Sequence, residues 1–203
     1  MQTDEAGVLG ANEVLTHTGT EAAVLETARG GMANTGIAFE RIDVGVCLNI
    51  AEDHLGYYGI DTFDQMAVHK RQVIERATRA AVLNAEDPRC VAMRDHTGAK
   101  KLILFARDAG HAEVVSHLEN DGCAVVVDVH DNKPTIVIKA SGTVTQPVIA
   151  VADIPATGDG AVVHNVHNAL AAVGIAQGLG IPVEHIARGL AKFVMGINTT
   201  PGR

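Results

Sequence analysis

AAVLNAEDPRCVAMRDHTGAKKLILFA (80–106) is the stretch whose reading decides the fold. AAVLN (80–84) is a short, continuous apolar run, as a strand buried on both faces requires. NAEDP follows as a turn, and Pro88 suits the first turn of a helix running to about Asp95. KLILFA (101–106) is then a second buried strand. Upstream, DVGVCLNI (43–50) is rich in apolar and β-branched residues and reads as another. Thr62 is a candidate N-cap, and Phe63, Met66, Ala67, Val73, Ile74 and Ala77 recur near helical spacing, which predicts a helix over 63–77. Strands alternating with helices predict an α/β fold with a mainly parallel sheet.

Working outward, residues 1–20 are polar and lack periodicity, so they read as an irregular edge. AAVLE (22–26) fits a buried strand, and ARGGMANTG (28–36), with three glycines, a loop. AEVVSHL, CAVVVDVH, PTIVIKA and TVTQPVIAV (112–151) read as successive strands joined by short turns, an antiparallel β insertion. HNVHNALAAVGIAQGLG (164–180) and IPVEHIARGLAKF (181–193) predict two closing helices, the second opened by Pro182.

The balance of 16 Lys and Arg against 24 Asp and Glu gives a net charge of −8, a poor match to a phosphate backbone. With no Trp and only four Phe and two Tyr, base-stacking platforms are also unexpected, so no nucleic-acid partner is expected. No apolar stretch is long enough to span a membrane, and the N-terminus lacks a signal-peptide pattern; a cytoplasmic protein is expected. Cys47, Cys90 and Cys123 are scattered, which disfavours a disulfide framework or a structural zinc site.

Several residues can carry chemistry. Glu26 ends a predicted strand, and ligands of open α/β sheets bind beyond strand carboxyl ends. A carboxylate there can hold Mg²⁺ beside substrate phosphates, or simply cap a helix or bond a loop. Asp53 and His54 follow the 43–50 strand, where an imidazole can serve as a metal ligand or a general base. Lys70 lies mid-helix, the usual place of a solvated lysine. His164, Asn165, His167 and Asn168 open a helix, with Asn165 and Asn168 on one face. Paired amides there can read a purine edge, or Asn165 can cap the helix. No G-x-x-x-x-G-K-[ST] loop occurs, since none of the six lysines precedes Ser or Thr. G-x-G-x-x-G and G-x-S-x-G are absent too.

In order, VLETARGG (24–31), DVGVCLNIAEDHLGYYGIDT (43–62), AVHK (67–70), AVLNAEDP (81–88), HNVHNALAA (164–172) and PGR (201–203) resemble the central, ATP-binding domain of the Mur ligase superfamily, in its cyanophycin synthetase branch. The resemblance implies a three-layer sheet and an ATP-dependent amide ligase. Such an enzyme activates a carboxylate as an acyl phosphate, which an amine then attacks. By this resemblance Glu26 and His54 are the Mg²⁺-linked residues. Lys70 is the lysine that is often carbamylated. Asn165 and Asn168 contact adenine, and Arg203 approaches the nucleotide. The cofactors implied are ATP and Mg²⁺, and the substrates are arginine and a poly-aspartate or cyanophycin primer; a homo-oligomer stays open for the full-length enzyme. The expected layout is an irregular edge over 1–20, the central domain over 21–198 and the start of a linker over 199–203. The phosphate loop is expected upstream of residue 1 and the amine-binding domain beyond Arg203, so the chain is expected to be a fragment with little activity alone. Two rival readings are a segment of another Mur-type ligase, of the peptidoglycan or folylpolyglutamate kind, and a degenerate nucleotide-binding domain without catalysis.

Overall fold

A computed structural model describes residues 7–51, 56 and 58–194, apart from the Arg29 side chain. Among these residues six strands form one sheet in chain order: β1 (Ile42–Cys47), β2 (Ala77–Asn84), β3 (Lys101–Ala106), β4 (Cys123–His130), β5 (Lys133–Ala140) and β6 (Gln146–Ala150). β1 to β4 pair in parallel, while β4–β5 and β5–β6 are antiparallel. The mainly parallel sheet with an antiparallel extension is the fold class expected from the sequence.

Among the described residues seven α-helices accompany the sheet: α1 (Val8–Thr16), α2 (Arg29–Thr35), α3 (Phe63–Glu75), α4 (Pro88–Ala92), α5 (Ala112–Glu119), α6 (Val163–Leu179) and α7 (Val183–Lys192). The period of two along each strand divides them into layers. Ala81, Leu83, Leu104, Ala106 and Val126 face one core, with Met66 and Ile74 of α3, Cys90 of α4 and Val114 of α5. Ala80, Val82, Ile103, Phe105 and Val125 face the other, with Leu170 and Val173 of α6 and Ile186 of α7. The sheet is thus sandwiched between helices, which explains why its strands are apolar on both faces.

Local signals hold where they have a mechanism. The Thr62 side chain accepts from Gln65 N, and Gln65 reaches back to the Thr62 N–H, a reciprocal cap for α3. Pro88 stands at the start of α4, whose N-cap is Asp87. Asp131 and Asn132 (φ 50° and 61°) form the two-residue hairpin between β4 and β5, both left-handed as that turn requires.

Four readings need correction. AAVLE (22–26) is not a buried strand: it has no regular structure and Val24 is 91% exposed. Apolar composition alone cannot supply a pairing partner, and among the described residues none lies beside it. The edge over 1–20 is not wholly irregular, since α1 occupies 8–16, although it buries no residue. Residues 29–35 form α2 rather than a loop, with Met32 buried. The 112–119 run is helix α5, not a strand. β3 and β4 are parallel neighbours, so the chain must cross back to start β4, and a hairpin cannot do this. α5 is fixed by His117, whose Nε2 lies 3.2 Å from both Leu102 O and Cys123 N, and by the Arg94–Glu113 ion pair.

α6 lies against the sheet because small residues face it. A Cβ at Gly174 would stand 2.7 Å from Val82 Cγ1, and one at Gly178 would stand 2.7 Å from Ala80 Cβ. Gly178→Val should therefore destabilise the chain by about 1–3 kcal/mol, the usual cost of overpacking a close contact. Urea unfolding measures this, and a wild-type midpoint would show that α6 does not pack this closely.

Candidate functional site

The strand carboxyl ends gather the polar groups. β1 runs out through Leu48, Asn49 and Ile50, and three side chains hold this exit. Asn84, buried at the end of β2, donates from Nδ2 to Leu48 O at 2.8 Å. Lys70 of α3 donates from Nζ to Asn49 O at 3.1 Å. Ile50 N donates to Asp87 Oδ2 at 2.6 Å. The other Asp87 oxygen accepts from Arg89 N at 2.9 Å and Cys90 N at 3.3 Å, capping α4.

A trough of about 1000 Å³ follows the edge of β1 that pairs with no strand among the described residues. Glu26 lines it from the exposed 21–28 segment, and Lys70 lines it from α3. The structure therefore brings these two sequence-predicted residues to one cavity. Glu26 is an exposed carboxylate, a hard oxygen donor that suits Mg²⁺, an ion that keeps several waters and takes one or two carboxylates. Among the described residues no three His, Cys, Asp or Glu side chains converge as a metal cage. One carboxylate sharing a hydrated ion with phosphates fits this better than a protein-only site. His54 and Arg203 lie outside the described residues.

The two asparagines stand apart from the trough, near the start of α6. Asn165 is buried, and its Nδ2 donates to Ala156 O at 2.7 Å. Asn168 is exposed, its Nδ2 3.5 Å from Asn165 Oδ1. Asn165 thus gives an amide N–H to the backbone, with its Oδ1 at the outer limit of hydrogen-bond reach of its exposed neighbour. Asn165 does not cap α6, whose N-cap is Val162.

Sequence reasoning missed an ionic cluster beside them. Glu86, just past β2, accepts from Arg107 N at 2.6 Å and Arg107 Nε at 3.1 Å. His167 Nε2 lies 3.0 Å from Glu86 Oε2, and its ring meets Phe105 edge-on at 6.4 Å. The cluster joins the ends of β2 and β3 to α6. Its signal was present: a charged residue follows each apolar run, Glu86 after AAVLNA and Arg107 after KLILFA. Burial pushes the Glu86 carboxyl up, but the Arg107 and His167 bonds outweigh it and hold the group below its ordinary value. A carboxyl with a lowered folded pKa contributes stability above its unfolded pKa of about 4.3 and loses it as pH falls through the folded value. Glu86→Gln should flatten the loss of stability below about pH 4.3. Urea midpoints taken across the acid range test this, and an unchanged acid limb would remove Glu86 from the account.

Comparison with known proteins identifies the family. The Mur ligase middle domain family matches residues 2–176. Cyanophycin synthetase from Geminocystis herdmanii is 38% identical over 202 residues, covering 98% of this chain and 22% of the relative. The Crocosphaera subtropica cyanophycin synthetase is 36% identical with the same coverage. UDP-N-acetylmuramate–L-alanine ligase from Rhizobium meliloti is 32% identical over 154 residues, 74% of this chain and 30% of the relative. A crystal structure of MurF from Acinetobacter baumannii superposes with a TM-score of 0.47 at 22% identity, covering 76% of this chain and 29% of that one. The chain spans about a fifth of the length of the cyanophycin synthetases it matches (22%). No helix among the described residues is long and apolar enough to cross a membrane. With a family match over most of its length, the chain belongs to the Mur ligase family, through its middle domain.

Proposed function

We propose that the chain is the central-domain part of an ATP- and Mg²⁺-dependent amide ligase of the cyanophycin synthetase kind. The complete enzyme forms an acyl phosphate on an aspartate side-chain carboxylate of a poly-aspartate or cyanophycin primer and joins arginine to it. One observation carries the reading: Glu26 and Lys70, 44 positions apart in sequence, line a single trough at the β1 edge of the sheet. The identity to cyanophycin synthetases along 98% of the chain supports the choice of branch.

In this reading Glu26, with His54, holds Mg²⁺, which would offset the charge gathered by ATP and a carboxylate in one place. Lys70 is fixed by Asn49 O on the trough wall, where it positions phosphate either as an ammonium or, once carbamylated, as an additional carboxylate. Asn168, beside Asn165, offers an exposed amide that can both donate and accept, as the edge of adenine requires. Arg203 approaches the nucleotide. The layout is a central domain over 21–198, preceded by an edge over 1–20 and followed by a linker over 199–203. The protein works in the cytoplasm, without nucleic acid or membrane.

No Walker A loop lies within the 203 residues, so the backbone cradle for phosphates is not supplied by them. The same fact favours a second reading, a nucleotide-binding domain without catalysis. Assays with ATP, Mg²⁺, arginine and cyanophycin primer separate the two. The 203-residue chain should give little or no turnover. A protein of the relatives' length should turn over, and Glu26→Gln or Lys70→Ala should lower its kcat by about 10²-fold or more, the scale of losing one electrostatic contact to a developing charge. Turnover with UDP-muramyl peptides in place of arginine and primer would move the chain to the peptidoglycan branch. Wild-type kcat in both variants would end the site assignment.

A further inference from the structure

Two cysteines that the sequence keeps 43 positions apart are neighbours in the fold. Cys90 Sγ lies 3.4 Å from Cys47 Sγ, and both are buried, at 0% and 5% exposure. Cys47 is the last residue of β1 and lines the trough, while Cys90 lies in the first turn of α4 beneath it. Asp87 ties the two backbones together, since one carboxylate oxygen takes the Ile50 N–H and the other takes the Cys90 N–H. The pair is therefore held in register rather than brought together by chance fluctuation.

We propose that Cys47 and Cys90 form an oxidisable dithiol, a modification site that takes a peroxide as its oxidant and closes to an intramolecular disulfide. The pair is asymmetric. The Cys90 thiol donates its hydrogen to Cys47 sulfur, which pulls the Cys47 thiol below its ordinary value. Burial opposes this, and the Lys70 charge adds to it. The same bond and burial push the Cys90 thiol up. The thiolate is the nucleophile, so Cys47, facing the trough, reacts first. Its sulfur attacks one peroxide oxygen, the O–O bond breaks, and the other oxygen leaves as hydroxide, giving a Cys47 sulfenic acid. Cys90 sulfur then attacks Cys47 sulfur and gives up its proton. The S–S bond forms, the S–O bond breaks, and the departing hydroxide takes up the Cys90 proton as water, just as the hydroxide of the first step takes up the proton lost by the Cys47 thiol. Two thiols lose two electrons and one peroxide gains them.

The closure has a structural consequence. An S–S bond is about 2.05 Å long, so the sulfurs must approach by more than an ångström from their present separation. Cys47 lies two residues from Asn49, whose carbonyl holds Lys70. Oxidation therefore pulls on the segment that carries the wall of the trough. The inference stands on the thiol geometry and is independent of the ligase reading.

The reduced 203-residue chain, treated with hydrogen peroxide and then denatured, reports the outcome through its free thiols. The count should fall from three to one, with peptide mapping linking Cys47 to Cys90 within one chain. Cys123→Ser, which leaves the pair intact, should form the same link. Cys90→Ser should stop at a sulfenic acid on Cys47 that a dimedone-type reagent traps. Cys90→Ala serves the same purpose should the serine disturb folding, as far-UV circular dichroism would report. A count that stays at three, a link that runs through Cys123, or a link only between chains would overturn the proposal.

Discussion

One carboxylate, that of Asp87, ties the exit of β1 to the start of α4. It caps α4 with one oxygen and anchors the exit of β1 with the other. A backbone N–H that leaves a sheet edge needs a partner, and so do the first N–H groups of a helix. Asp87 answers both needs with the residue type that does so best at a helix start. Asn84, buried at the end of β2, completes the arrangement: its side-chain amide donates to Leu48 O and its side-chain carbonyl accepts from Glu86 N. The NAED turn is thus the fixed frame around which the strand ends, Lys70 and the thiol pair are placed.

Much of this fold is legible in the residues because each central strand announces itself. The second half of β2, most of β3 and the first half of β4 are buried on both faces, and continuous apolar runs are the direct consequence. The hairpin at Asp131–Asn132 is equally plain, since left-handed turn positions restrict the choice of residue. AEVVSHL (112–118) was misread because seven residues do not separate a period of two from a period of 3.6. Topology separates them: a parallel β3–β4 pair demands a crossover. AAVLE (22–26) failed for a different reason, because burial is a property of neighbours and not of the run itself.

The site is legible to a lesser degree. Glu26 stands out in the sequence as the end of an apolar run, although that run is no strand, whereas only the family resemblance points to Lys70, since a helical lysine carries no signal of its own. The Glu86–Arg107–His167 cluster and the Cys47–Cys90 pair involve partners 21, 81 and 43 positions apart. Spacing rules see only residues that share one element, and these contacts arise between elements. What can be read is that strand ends collect polar residues, because the sheet's apolar middle has no place for them.

The two edges of the sheet explain why Glu26 and Lys70 meet at one of them. β6 is only five residues long, carries Pro147 and shifts register against β5, all features that blunt an edge. β1 is treated otherwise: helices press on both its faces while its outer edge faces the trough. On one face Gly178 of α6 lies where a Cβ would come within 3.2 Å of Val44. On the other, a Cβ on Gly45 would stand 2.8 Å from the Val73 carbonyl oxygen, so α3 meets the strand backbone to backbone. α3 carries Lys70 one turn before Val73. The height of Lys70 above the trough is therefore set by the missing side chain of Gly45, and the Asn49 carbonyl only finishes what that close approach begins. A residue with no chemistry of its own thus governs the placement of one that has it.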